Sequence, residues 1–169
     1  MLTVKAVLLS MMVSYAPYNI NGVSIDEEQA LCLAMNVYHE AKGETLAGKS
    51  AVAHVTMNRV AHKKYPNNVC DVIFDAQTRV NWKGNIVPIR DRCQFSWYCD
   101  GKADDIISKE NNHAWRLAQD IAFNVMVFNK YSGLVEGATH YHADYVDPSW
   151  NKTITLVTKI DDHIFYRWD

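Results

Sequence analysis

The stretch Tyr38–Val60, YHEAKGETLAGKSAVAHVTMNRV, sets two glutamates, Glu40 and Glu44, on either side of Gly43. Apolar positions recur at helical spacing both before and after the glycine. Upstream they are Ile25, Leu31, Ala34, Tyr38 and Ala41; downstream they are Ala51, Val52, Val55 and Val60. One amphipathic helix therefore ends near Gly43 and a second begins just after it, with a pair of carboxylates at the joint. The first helix is predicted from about Ser24 to Lys42. Ser24 with Glu27 has the form of a capping box, and Gly43 can take a left-handed closing conformation without strain. The second is predicted from about Leu46 to Ala61, with Gly48 and Ala51 small enough to admit another backbone.

Working outward, YPNNVCDVIF (Tyr65–Phe74) predicts a turn and a short helix. Gln77–Gly101 is rich in Gly, Asn, aromatic and charged residues and predicts a hairpin or ordered loops. Trp115, Ala118, Ile121, Ala122, Val125 and Phe128 form a core stripe on a helix from about Asn111 to Asn129. ATHYHADYV and KTITLVTKIDDHIFYRW carry the β-branched and aromatic residues of short strands. The sum is an α+β chain, mainly helical, with small β elements late in the sequence and no sign of a repeat or linker.

At 169 residues, 49% apolar and 21% charged, the chain has the composition of one globular domain with a real core. A formal charge of −2 gives no reason to expect tight nucleic-acid binding, which needs a concentrated basic surface. No uncharged apolar run reaches roughly 18 residues, so no stable membrane span is expected. The opening MLTVKAVLLSMMVSYA admits two readings for residues 1–23, an export signal or a helix packed on the domain. Four cysteines allow three complete pairings. Cys32 lies in a helical pattern and is expected as a small buried hydrophobe; Cys93 and Cys99 are close enough for a local disulfide.

Glu40 falls at the C-terminal end of the first helix, where the helix dipole disfavours a carboxylate and raises its pKa. Tyr38, Trp82, Phe95, Trp97 or Tyr141 would add desolvation if folded nearby. A glutamate held toward neutrality is what protonating a glycosidic oxygen requires. Glu44 either starts the next helix, where negative charge is favoured, or serves as a second carboxylate. In ATHYHADYVDPSW, His140 and His142 would share one side of a strand and Tyr141 the other. Such a histidine pair can hold zinc, with His163, Asp144 or Glu40 as a third ligand, and that makes a zinc amidase the competing enzyme. In CQFSWYCDG, strand alternation would set Gln94, Ser96 and Tyr98 opposite Phe95 and Trp97, a pairing of polar groups and aromatic faces suited to saccharide.

Five blocks occur together in order: YHEAKGETLAGKSAVAHVTMNRV, YPNNVCDVIF, CQFSWYCDG, GATHYHADYVDPSW and HIFYRWD. In this the chain resembles the SleB-type cell wall hydrolases, the spore cortex-lytic enzyme family, over about Glu28 to Trp168. The resemblance implies a lysozyme-like, lytic transglycosylase-like catalytic domain over residues 24–169. It further implies cleavage of peptidoglycan at the MurNAc–GlcNAc β-1,4 bond, by lytic transglycosylase or muramidase chemistry. Glu40 matches the family's essential acid, and no cofactor or metal is expected. Glu44, Gln94, Phe95, Ser96, Tyr141, His142 and Trp150 are the expected substrate-binding residues. The expected partner is the peptidoglycan glycan strand, met by a monomer acting on the bacterial wall as a phage endolysin or small autolysin. Lys42 stands where the family more often has arginine. The remaining alternatives are the zinc amidase using His140 and His142, and a peptidoglycan-binding protein without turnover.

Overall fold

The computed structural model describes residues 26–104, 106 and 112–169; Ser24 and the segment 1–23 lie outside the described residues. Helix α1 runs Glu27–Ala41, and its N-cap is Asp26, whose carboxylate accepts from the Gln29 backbone N–H at 3.2 Å. Glu27 and Glu28 follow in the first turn, where negative charge suits the helix dipole. The expected stop at Gly43 is corrected in its cause. Lys42 closes α1 in right-handed conformation, and Gly43 is not among the positive-φ glycines. The turn is closed instead by the Glu44 N–H donating to Ala41 O at 3.1 Å, and Thr45 caps the next helix.

Helix α2 runs Leu46–Ala61 as expected, and α3 is the single short turn Val69–Ile73. Helix α4 runs Asn112–Phe128. Ala118, Ile121, Ala122 and Val125 of its stripe are buried, but Phe128 leaves the core and lies 53% exposed beside Phe123. Strands β1 (Ala76–Val80) and β2 (Ile86–Cys93) form an antiparallel hairpin. A 3-10 turn, Ser96–Cys99, follows it where the sequence suggested strand alternation. Burial alternates there all the same, because Phe95, Trp97 and Cys99 turn inward while Gln94 and Ser96 stay exposed.

Strands β3 (His140–Ala143), β4 (Thr155–Ile160) and β5 (His163–Arg167) form one antiparallel sheet in the order β3-β5-β4. Tyr141 pairs with Phe165, and His140 with Tyr166, so these pairs occupy opposite faces. Helix α2 lies between two apolar clusters. Ala53 packs with α1, α3, α4 and Trp97, whereas Ala51 and Val55 pack with Val135, Ala138 and Phe165. Tyr141 touches both clusters and stands at their seam.

Both cysteine pairs are bonded: Cys32 to Cys70 and Cys93 to Cys99. Cys32 is indeed fully buried, but it is a cross-link from α1 to α3 and not a lone hydrophobe.

Candidate active site

The penultimate residue of α1 points Glu40 toward the seam between helices and sheet. Its Oε2 accepts a 2.7 Å hydrogen bond from the Tyr141 hydroxyl on β3. Glu40 is half-buried, neither sealed in the core nor fully solvated. Its pKa is raised, as expected, but the leading cause is burial; the Tyr141 hydrogen bond and the positive charge of Arg59 counter it. Burial also drives the Tyr141 hydroxyl well above its ordinary value, with the Glu40 charge adding to it. Tyr141 is therefore a committed proton donor to the carboxyl.

Arg59 went unnoticed in the sequence. It lies 6% exposed on α2, donates Nε–H to Thr139 O at 2.8 Å, and sets its guanidinium 4.8 Å from the Phe95 ring centre. A signal was present: Val52, Val55 and Arg59 fall on one buried face at helical spacing, so a charge sits where the pattern demands an apolar group. Phe95, expected to touch sugar, is 2% exposed, and its ring is occupied by Arg59 and the core. That expectation gives way to a packing role.

Trp97 is buried and stacks on His39 at 4.5 Å, which sets the 3-10 turn against the end of α1. Its indole N–H donates to Asn36 Oδ1 at 2.9 Å, and Asn36 Nδ2 donates to Thr56 Oγ1 at 3.2 Å. This buried chain of amides and hydroxyls locks α1, α2 and the turn into one arrangement. Gln94 and Ser96 are exposed on that turn, with the Gln94 amide donating to Asp75 at 3.2 Å. Trp82, considered as a desolvating neighbour of Glu40, is instead 88% exposed at the tip of the β1–β2 hairpin.

Glu44 is held by the sheet. Its Oε2 accepts from Asp162 N–H at 3.4 Å, and its Oε1 lies 3.9 Å from His163 Nδ1. Asp161 accepts from both the N–H and the hydroxyl of Thr45, at 2.9 and 2.7 Å. The α1–α2 joint is thus clamped twice, by Tyr141 on Glu40 and by the β4–β5 turn on Glu44 and Thr45.

His140 and His142 share a face of β3, as the alternation implies, and Tyr141 takes the other. His142 stacks on Tyr166, with Nε2 3.0 Å from that hydroxyl and Nδ1 2.9 Å from Ala143 O. Trp150 packs over His140 and His142 at 5.3 and 5.5 Å. His142 and Trp150 therefore stand on the side of the strand away from Glu40 and are not brought together with it. The same geometry counts against zinc: Glu40 and His163 contact Tyr141, behind the histidine pair. Among the described residues no three His, Cys, Asp or Glu side chains converge as a metal site would require. A cavity of about 180 Å³ between α2 and α4, lined by Leu46, Ser50 and Ile121 among others, does not include Glu40.

The family model described as cell wall hydrolase matches residues 43–166. The chain belongs to the cell wall hydrolase family. The match begins just after Glu40, which lies outside the matched range. Two spore cortex-lytic enzymes of Bacillus cereus are 28% identical over 147 residues, 87% of this chain and 46% of theirs. The chain thus spans about half the length of these curated relatives. Among solved structures, the catalytic domain of the Bacillus cereus SleB protein superposes with a TM-score of 0.56 at 26% identity, covering 91% of this chain and 99% of that one. The catalytic domain of the germination-specific lytic transglycosylase SleB from Bacillus anthracis gives 0.57 at 28% identity, covering 88% and 99%. The family and the mainly helical α+β class expected from the sequence both stand.

Proposed function

We propose that this cell wall hydrolase cuts peptidoglycan glycan strands at the MurNAc–GlcNAc β-1,4 bond, with Glu40 as both general acid and general base. The observation that carries the reading is the Glu40 carboxyl, half-buried at the end of α1, raised in pKa and held through Oε2 by Tyr141. With the Tyr141 hydroxyl donating to Oε2, the transferable proton belongs on Oε1. Glu40 gives that proton to the leaving oxygen as positive charge develops at the MurNAc anomeric carbon. The resulting carboxylate then takes a proton from the sugar's own 6-hydroxyl, which closes a 1,6-anhydro ring, or from water, which gives a reducing end. The first route needs no second carboxylate, and Glu44 is engaged elsewhere. Gln94 and Ser96, exposed beside the turn that meets His39, are the polar groups best placed to line the glycan path.

The likeness to a germination-specific lytic transglycosylase supports glycan cleavage, and the two disulfides suit an oxidising compartment such as the periplasm or cell exterior. A phage endolysin or small autolysin working there as a monomer fits these features. Mass spectrometry of fragments released from purified sacculi tests the reading. Anhydro-MurNAc ends are expected, insensitive to chelators, and Glu40→Gln should fold normally yet release nothing. Free stem peptides would show an amidase instead, and sacculus binding without fragments would show no turnover at all.

A further inference from the structure

The β1–β2 hairpin stands apart from the Glu40 region. It packs chiefly on itself and on the Ser96–Cys99 turn, to which the Cys93–Cys99 disulfide pins its root. Its tip is firmly built. Asn81 Oδ1 accepts from the backbone N–H groups of Lys83 and Asn85, each at 2.9 Å, and Asn81 N–H donates to Asn85 O at 2.8 Å. Gly84 supplies the positive φ of 79° that the turn requires. This fixed turn holds Trp82 88% exposed, beside Val80 at 67% and Ile86 at 73%. Val80 and Ile86 are directly paired across the strands, so they share one face.

Charge points the same way. Residues 76–93 carry Arg79, Lys83, Arg90 and Arg92 against Asp91 alone, a net +3 in a chain whose net charge is −2. The register breaks between Ala76 and Thr78, and Asp91 takes a φ of 59°, so a bulge bends β2 and leaves Arg90 and Arg92 exposed. The Lys83 ammonium stands 4.7 Å from the centre of the Trp82 ring, so that aromatic face is covered by a cation where a sugar would stack, and Val80 and Ile86 beside it are aliphatic. The headgroup boundary of an anionic bilayer accepts every one of these groups: an indole, short aliphatic chains and flanking cations.

We propose that the hairpin tip docks on the surface of an anionic lipid bilayer. Val80, Trp82 and Ile86 enter the headgroup boundary while Arg79 and Lys83 meet lipid phosphates; Arg90 and Arg92, nearer the root, add to the positive field of the hairpin. The contact is interfacial, because among the described residues no helix is long and apolar enough to cross a membrane. It is independent of the glycosidase reading, since none of these side chains belongs to the Glu40 site.

The test is co-sedimentation of the whole chain with phosphatidylcholine vesicles, with and without phosphatidylglycerol. Binding is expected only to the anionic vesicles, weakened by about tenfold in Trp82→Ala and in Arg79→Ser/Lys83→Ser, and suppressed by high salt. Exposed as they are, these positions leave the fold and the release of sacculus fragments unchanged. Failure of the unaltered chain to bind anionic vesicles overturns the proposal, as does binding that Trp82→Ala leaves intact. Trp82-dependent binding to sacculi without vesicle binding would identify a glycan partner, and Trp82-dependent self-association a second copy of the chain; either result also overturns it.

Discussion

Glu40 and Tyr141 are separated by 101 residues of sequence yet share one hydrogen bond, and the reactivity of the carboxyl follows from the balance around it. Burial favours the neutral acid; the phenolic donor and Arg59 favour the anion. Removing the donor tilts the balance toward the acid. In Tyr141→Phe the alkaline limb of the lytic pH profile should therefore move to higher pH, while the rate falls on the order of tenfold because the carboxyl is no longer held. A pH–rate profile on sacculi reads both effects, and a rate loss with an unmoved limb would assign Tyr141 to packing alone. The raised pKa has a stability consequence of definite sign. The folded state holds its proton more tightly than the unfolded one, so Glu40 costs nothing below the ordinary carboxylate range and destabilises as pH rises through the folded value. Glu40→Gln should accordingly be more stable than the parent to urea at neutral pH and indistinguishable from it in acid. His39, stacked on Trp97, is shifted the other way, its pKa lowered chiefly by burial.

Between elements, the decisive joint is the one where α1 and α2 meet the β4–β5 turn. Thr45 both caps α2, by accepting from Gly48 N–H at 3.3 Å, and donates twice to Asp161. Lys49 is 5% exposed and closes the corner by donating from Nζ to Glu44 O. Gly48 was read in the sequence as room for a backbone; the room is filled by carboxylates. A Cβ there would fall 2.8 Å from Glu44 Cβ and closer still to the Asp161 carboxylate. Gly48→Ala should therefore cost about 1–3 kcal/mol, because neither acid can withdraw without breaking its hydrogen bonds. Chemical denaturation measures the loss, and a neutral result would show the turn to be free to shift. Sacculus lysis should fall with it, since the same joint carries Glu40. The Thr45 hydrogen bonds hold the Asp161 carboxyl below its usual range, so this clamp is present near neutrality and weakens as pH drops into the acid range.

Across the whole molecule, two apolar clusters share α2, and two disulfides brace the helical side. Cys32–Cys70 joins residues 38 positions apart, linking α1 to α3 beneath the first cluster. In a chain-entropy picture its loss should lower stability by roughly 3–4 kcal/mol. Thermal unfolding of Cys32→Ala/Cys70→Ala against the parent checks this, and an unchanged midpoint would mean that packing alone carries α1. The Cys93–Cys99 link spans only 6 positions and constrains the unfolded chain far less. His140 adds a global pH dependence: burial and nearby cations hold its pKa to about 4. It enters the fold neutral, so its contribution is intact above the ordinary histidine range and fades as pH falls from there toward 4.

Sequence periodicity was enough to find α1, α2 and α4, because helix faces are written at a spacing of three and four residues. It also found the side-to-side split of His140, Tyr141 and His142, since strand alternation is equally local. The motif order disclosed the family and singled out Glu40. What periodicity could not express were partnerships between distant segments: Cys32 with Cys70, Glu40 with Tyr141, Glu44 with His163, Arg59 with Thr139. Nor could it express that Phe95 is spent on the core, or that His142 and Trp150 stand on the face of β3 away from Glu40. A side chain's type and spacing fix what it is able to do. Which group it meets, and how much water remains around it, is decided only when helices and sheet close on each other, because burial and charge are properties of the packed neighbourhood and not of the residue.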